Sequence, residues 1–200
     1  MGMGKITVFE SLTLDGVMQA PGRPDEDTRG GFAYGGWAVP YADSVQASMA
    51  GEGMATTAGL LLGRRTYEDF YAVWPNQTGN PYTEWLNNAQ KYVASTTLKE
   101  PLPWQNSTLL KGDVAEAVTA LKAQSNMDIV VLGSGELVQT LMRHNLVDHY
   151  QLLIHPLILG SGRRLFREHG TFLALQLVET KVTTSGVVIA TYQPSPSVAG

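Results

Sequence analysis

The chain has 200 residues, 44% of them apolar, with 14 Lys and Arg against 18 Asp and Glu and a formal net charge of -4. That apolar share fills a core for one large domain or two small ones, and the charge excludes a basic nucleic-acid binder and a charge-rich disordered chain. There is no cysteine, hence no disulfide, thiolate nucleophile or Cys-ligated zinc, and no apolar run nears the ~18–20 residues of a membrane span, so a cytoplasmic protein without nucleic-acid or membrane partners is expected.

The Met1-Gly2-Met3-Gly4-Lys5 start has no apolar core and is no signal peptide, and its extra Met-Gly reads as a cloning remnant. Residues 5–14 place Ile6, Val8, Leu12 and Leu14 on one parity and Thr7, Ser11 and Thr13 on the other, a period-two strand with Glu10 on its apolar parity. Residues 15–42 have no period and hold Gly16, Gly22, Gly30, Gly31, Gly35, Gly36 and three prolines; so long a connection reads as a lid or binding loop, anchored by Met18, Phe32, Tyr34 and Trp37. A helix is expected over 43–57 with Asp43 or Ser44 as N-cap, then a short buried strand over 59–63 and a helix over 64–74 with Tyr67, Phe70, Tyr71 and Trp74 on one face. The stretch 75–90 is looser, with an amphipathic piece around Trp85 and Leu86.

Strands follow at 90–95 and 107–111. Asp113 and Glu116 form a capping box for a helix carrying Val114, Val118 and Leu121. The unbroken run 128–132 has the character of a central parallel strand, and Gly133-Ser134-Gly135 turns into a helix over 136–144. A long strand over 150–159, a loop over 160–167 and two strands near 172–183 and 187–193 around Gly186 complete the order, with 194–200 as a frayed tail. The whole reads as a single α/β domain, ordered over 5–193. Its sheet is mixed but mostly parallel, flanked by helices, with antiparallel strands at the C-terminal end.

Glycine, 21 residues here, exceeds the usual ~7%, and its positions carry the chemistry. Two strand ends open helices through glycine turns: Leu62-Gly63-Arg64-Arg65-Thr66 and Leu132-Gly133-Ser134-Gly135-Glu136-Leu137. Glycine lets backbone approach a phosphate, a helix N-terminus offers unpaired N–H groups, and Arg64 adds a fixed charge. Neither turn is GxGxxG or a P-loop. Each alone is ordinary loop chemistry; together with Ser95-Thr96-Thr97 at a third strand end they point to phosphate binding.

The ordered set LTLDG (12–16), LLLGRRTYEDF (60–70), KYVASTTL (91–98), VVLGSGELVQTL (130–141) and LLIHPLILGSGRRLF (152–166) resembles the reductase family that unites dihydrofolate reductase with the C-terminal reductase domain of the riboflavin-biosynthesis deaminase–reductase, stand-alone bacterial members above all. The resemblance covers residues 5–193 and implies a dihydrofolate-reductase-like sheet, NADPH as hydride donor, a small-molecule substrate and a homodimer, to which the long apolar strand 150–159 also points. It implies that Gly63, Arg64 and Thr66 hold the adenosine phosphates, with Arg64 near the 2′-phosphate. Ser95 and Thr96 would lie on the adenosine side. Gly133, Ser134, Gly135, Glu136 and Leu137 would hold the pyrophosphate and nicotinamide ribose, and Asp15, Gly16, Val17 and Met18 would cover the nicotinamide. The riboflavin-pathway relatives carry an acid two positions before the second glycine turn; here Val131 stands there. The activity implied is reduction of 5-amino-6-(5-phosphoribosylamino)uracil. Reduction of dihydrofolate, a pterin or another small molecule on the same fold, and nucleotide binding without catalysis, are the alternatives.

Hydride transfer needs a proton source for the substrate heteroatom. Three acids are candidates, each with a plainer reading: Asp15, or a turn-forming Asp before Gly16; Glu10, or a bulge that turns it to solvent; Glu52, or a solvated helix face. A bound water is a further source. Trp37 either stacks on a ligand or anchors the loop, and His155, whose parity puts it inside, reads first as a core histidine.

Overall fold

The computed structural model describes residues 4–124 and 128–196. The first three residues and 197–200, hence the cloning remnant and most of the expected frayed tail, lie outside them. In chain order the elements are β1 (Ile6–Thr13), α1 (Ser44–Thr56), β2 (Thr57–Gly63), α2 (Arg64–Val73), α3 (Pro81–Asn88), β3 (Gln90–Ala94), β4 (Ser107–Leu110), α4 (Val114–Gln124), β5 (Asp128–Val131), α5 (Gly135–Arg143), β6 (His149–His155), β7 (Leu175–Val182) and β8 (Val188–Pro194). This is a mixed α/β fold with a mostly parallel sheet and antiparallel C-terminal strands. No helix among the described residues is long and apolar enough to cross a membrane.

The chain divides into two compact units, one built from the segment up to Thr7 with Met54–Val147, the other from Val8–Gly53 with the chain from Asp148 on. In the first unit the strand order is β4-β3-β2-β5, and all three pairings are parallel. Leu60, Leu61 and Leu62 of β2 are all fully buried, as a strand covered on both faces requires. Leu60 and Leu62 pack with Tyr67, Leu86, Val93 and Trp104, and the aromatic face expected on α2 joins them through Phe70. Asp113 caps α4 as expected, its Oδ1 accepting from the N–H groups of Ala115 (2.8 Å) and Glu116 (3.0 Å).

In the second unit the order is β1-β6-β8-β7, with β6–β8 and β8–β7 antiparallel. β1 buries Ile6, Val8, Glu10 and Leu12 on one parity. Asp43 is the N-cap of α1, accepting from Val45 (3.1 Å) and Gln46 (3.0 Å). The lid 15–42 has its own core of Val17, Ala20, Phe32 and Trp37, against which Leu157 and Leu159 pack. Two expectations change here. β6 stops at His155 instead of reaching 159: Pro156 has no N–H to donate, the Leu157 N–H turns back to the His155 carbonyl (2.8 Å), and the Leu157 carbonyl accepts from Leu14 (2.9 Å). The tail is held further than expected, since Pro194 belongs to β8 and the Ser195 N–H donates to Ala174 (2.9 Å).

Candidate functional site

In the first unit, parallel pairing brings three strand ends together. Gly63 stands opposite Ala94, and Leu61 opposite Val131, so the turns after β2, β3 and β5 emerge side by side. The two glycine turns touch backbone to backbone: the Gly63 N–H donates to the Gly133 carbonyl at 3.0 Å. A Cβ on Gly63 would fall 3.0 Å from both the backbone nitrogen and the Cβ of Ser134. Gly63 has φ -71° and ψ 155°, open to any residue, so it is this contact that demands glycine there. Gly133 has φ +94°, which demands glycine for the backbone itself, and the Gly133–Ser134 peptide is cis.

Gly63 is the N-cap of α2 and Ser134 that of α5, and neither helix receives a side-chain cap. Two sets of first-turn N–H groups, each at the positive end of a helix dipole, therefore lie on neighbouring strands. Thr66 is half-buried in the first turn of α2, Glu136 is exposed in that of α5, and Leu137 is buried and anchors α5. Arg64 reaches back to Glu68 in a half-exposed ion pair of 2.9 Å. The Ser95 hydroxyl closes its own turn, accepting from Thr97 (3.1 Å) and Leu98 (3.0 Å), with Thr96 exposed between them. Val131 is fully buried at the end of β5.

Of the expected site residues, Gly63, Arg64, Thr66, Ser95, Thr96 and Gly133 to Leu137 belong to this unit. Glu10, Asp15, Gly16, Val17, Met18, Trp37 and Glu52 belong to the second. There Asp15 is a structural hub. Its carboxylate accepts from the Thr13 hydroxyl (2.7 Å), the N–H groups of Leu159 (3.2 Å) and Gly160 (2.9 Å), and the Arg164 guanidinium (3.3 Å), whose Nε also donates to the Asp15 carbonyl (2.7 Å). The Thr13 hydrogen bond first, with the loop N–H groups and Arg164, holds its pKa down at about 2. Such a carboxylate is ionised at neutral pH, so the turn-forming reading replaces the proton-donor reading.

Gly16, at φ +79°, makes the turn, and Val17 bridges Arg164. The Val17 side chain is buried in the lid core, and its N–H donates to the Thr13 hydroxyl (2.9 Å), so it is spent on the lid; Met18 keeps a half-buried side chain. Trp37 is likewise an anchor: it is buried, its Nε1 donates to the Gln19 carbonyl (2.7 Å), and its ring meets His155 edge-on with centroids 5.1 Å apart. His155 is a core histidine whose Nδ1 lies 3.0 Å from the Leu153 carbonyl, and burial lowers its pKa. Glu52 is exposed on α1, near the Ser48 hydroxyl (3.5 Å).

Glu10 differs from all of these. Its side chain is 8% exposed, its Oε1 is buried without a hydrogen-bond partner, and burial, with Glu26 of the lid as a smaller influence, pushes its pKa up to about 8. The bulge that would turn it to solvent does not form. One charged residue escaped sequence reasoning. Lys91 of β3 is fully buried, donates to the carbonyls of Leu86 and Ala89 (both 2.7 Å), and lies 4.5 Å from the centre of the Trp104 ring. It closes the C-terminal end of α3; its only sequence signal is sharing an inward parity with Val93.

The model of the RibD C-terminal domain matches residues 4–189. The chain belongs to that family. The match takes in most of both compact units. The Bacillus subtilis (strain 168) protein YyaP is 32% identical over 139 residues, covering 66% of this chain and 72% of its own. Among solved structures, a riboflavin-biosynthesis-type protein of Shewanella sp. PV-4 has a TM-score of 0.69 at 21% identity, covering 96% of this chain and 99% of its own. A pyrimidine reductase-like protein of Corynebacterium diphtheriae has 0.67 at 13%, covering 97% and 93%. Dihydrofolate reductase of Enterococcus faecalis, complexed with NADP(H), has 0.62 at 15%, covering 97% and 98%. These three likenesses establish the dihydrofolate-reductase-like fold of this RibD C-terminal domain.

Proposed function

We propose that this RibD C-terminal domain protein is an NADPH-dependent reductase of a small heterocyclic substrate, similar to the reductase of 5-amino-6-(5-phosphoribosylamino)uracil. The observation that carries the reading is the apposition of Gly63 and Gly133 between two helix N-termini that no side chain caps. A pyrophosphate is the ligand such a pair of ends suits, because it accepts from both sets of N–H groups and answers both dipoles. Gly63, Gly133, Ser134 and Gly135 would hold the pyrophosphate, Arg64 the 2′-phosphate, and Ser95 and Thr96 the adenosine side.

NADPH, when bound, supplies the hydride; the chain supplies orientation, exclusion of water and a proton. Arg64 gives up little to bind a phosphate, since its pair with Glu68 is half-exposed and such pairs are worth about 0–1 kcal/mol. The buried, apolar Val131 departs from the riboflavin-pathway pattern, which favours a heterocycle recognised without an acid at that position. The reading also carries a homodimer.

Fluorescence titration with NADPH and NADH tests the cofactor. Arg64→Ala should weaken NADPH by roughly tenfold or more and leave NADH nearly unchanged, because only the 2′-phosphate loses a charged partner. Equal loss for both would remove the 2′-phosphate assignment. Absence of NADPH binding by the unaltered chain would remove the function proposed.

A further inference from the structure

We propose that Glu68 is the counter-ion that Arg64 must leave when a 2′-phosphate binds, and that this exchange sets how tightly NADPH is held and how fast it departs. The role rests on the cofactor reading above, and its residues lie wholly within the first unit. Arg64 is the first residue of α2, and Arg65, exposed, is the second. Both put positive charge at the positive end of the helix dipole, and no acid stands in that first turn to offset them. A helix gains from the opposite order, with the acid first and the base one turn on. The charges at the start of α2 therefore cost the helix stability and suit an anion.

Glu68 answers that charge while the site is empty. Its Oε2 accepts from Arg64 Nη1 at 2.9 Å, with both side chains half-exposed. One nitrogen of the guanidinium fork is used, on a group of single negative charge. A phosphate monoester offers the fork two oxygens and carries roughly two negative charges at neutral pH. The exchange therefore runs downhill toward a phosphate. A 2′-hydroxyl has no charge with which to displace a carboxylate from a guanidinium, so the Arg64–Glu68 pair stays closed with NADH and opens with NADPH. As the cofactor leaves, the carboxylate one turn along α2 takes the guanidinium back. Glu68 thus acts on release of the phosphate and not on the first encounter.

Fluorescence titration and stopped-flow displacement on the full chain test this with Glu68→Gln, which keeps the shape of the side chain and removes its charge. NADPH should bind about two- to fivefold more tightly, the worth of an exposed ion pair, and should do so through slower release. NADH should bind as it does to the wild type. In an Arg64→Ala background the same Glu68→Gln change should have no effect on NADPH, because the partner that makes the exchange is gone. Equal tightening of NADPH and NADH, or tightening through faster association alone, would show a general repulsion between Glu68 and an anionic ligand, and either overturns the exchange. So does NADPH binding that is unchanged or weaker in Glu68→Gln, or a gain that survives in Arg64→Ala. All of these leave the reductase reading standing. A wild type that binds no NADPH overturns that reading and this role together.

Discussion

Two carboxylates separated by five positions show how far environment decides chemistry. Asp15 is surrounded by donors and stays ionised; Glu10 is surrounded by apolar side chains and keeps its proton. The burial of Glu10 was legible, because a period-two strand assigns each residue a face. The hub at Asp15 was not, because its partners Leu159, Gly160 and Arg164 are brought to it by tertiary folding. Glu10 also makes a stability prediction. Its pKa is about 8 folded and 4.5 ordinarily, so between those values the folded chain holds a proton that the unfolded chain has released. Stability from this group is therefore complete below the ordinary value, falls as pH rises, and is exhausted above about 8. The total is on the order of 5 kcal/mol. Urea midpoints of the wild type should decline across this window and those of Glu10→Gln should be flatter, meeting or exceeding the wild type at the alkaline end. Parallel curves for the two proteins would show that Glu10 is not the group responsible.

At the scale of elements, hydrophobic period placed β1, β3, β4 and β5 closely, and cap chemistry placed α1 and α4, since both are local. Strand order is not local. That β2 lies between β3 and β5, and so sets Gly63 against Gly133, depends on how the parallel crossovers pack. The two turns were visible one at a time; their contact was not. Lys91 was missed for a related reason, because three amide carbonyls at the end of α3 supply acceptors that no residue type announces. The contact between the turns gives a sharp expectation for Gly63→Ala. The backbone angles admit alanine, so any loss comes from the added methyl pressing on Ser134 at 3.0 Å. The expected cost is about 1–3 kcal/mol by thermal unfolding, as for other overpacked sites, with NADPH affinity falling at least tenfold because the α5 turn must shift. A variant with native melting and native affinity would mean that the turns separate at no cost, and the phosphate cradle would have to be placed elsewhere.

For the whole molecule, the proposed homodimer depends on which surface is left unpaired. The apolar strand expected over 150–159 is not that surface, because β6 lies between β1 and β8 and both of its edges are used. In the second unit the free edge belongs to β7, which ends its strand order and is exposed from Gln176 to Val182, with Val182 68% exposed. A long apolar edge strand invites a second strand. The sequence of β7 is also self-complementary: antiparallel pairing about a two-fold axis at Thr180 sets Glu179 of one copy opposite Lys181 of the other, and Val178 opposite Val182. Each ion pair that now joins Glu179 to Lys181 within one chain at 3.3 Å would be exchanged for one between chains. Sedimentation at micromolar concentration should therefore give twice the 21.7 kDa protomer mass. Val182→Lys should return the protomer mass with NADPH affinity unchanged, because the new charge would lie against Val178 of the partner and close to its Glu179–Lys181 pair. A wild type that sediments as a protomer at every concentration would refute the dimer, and a Val182→Lys protein that stays dimeric would move the interface away from β7.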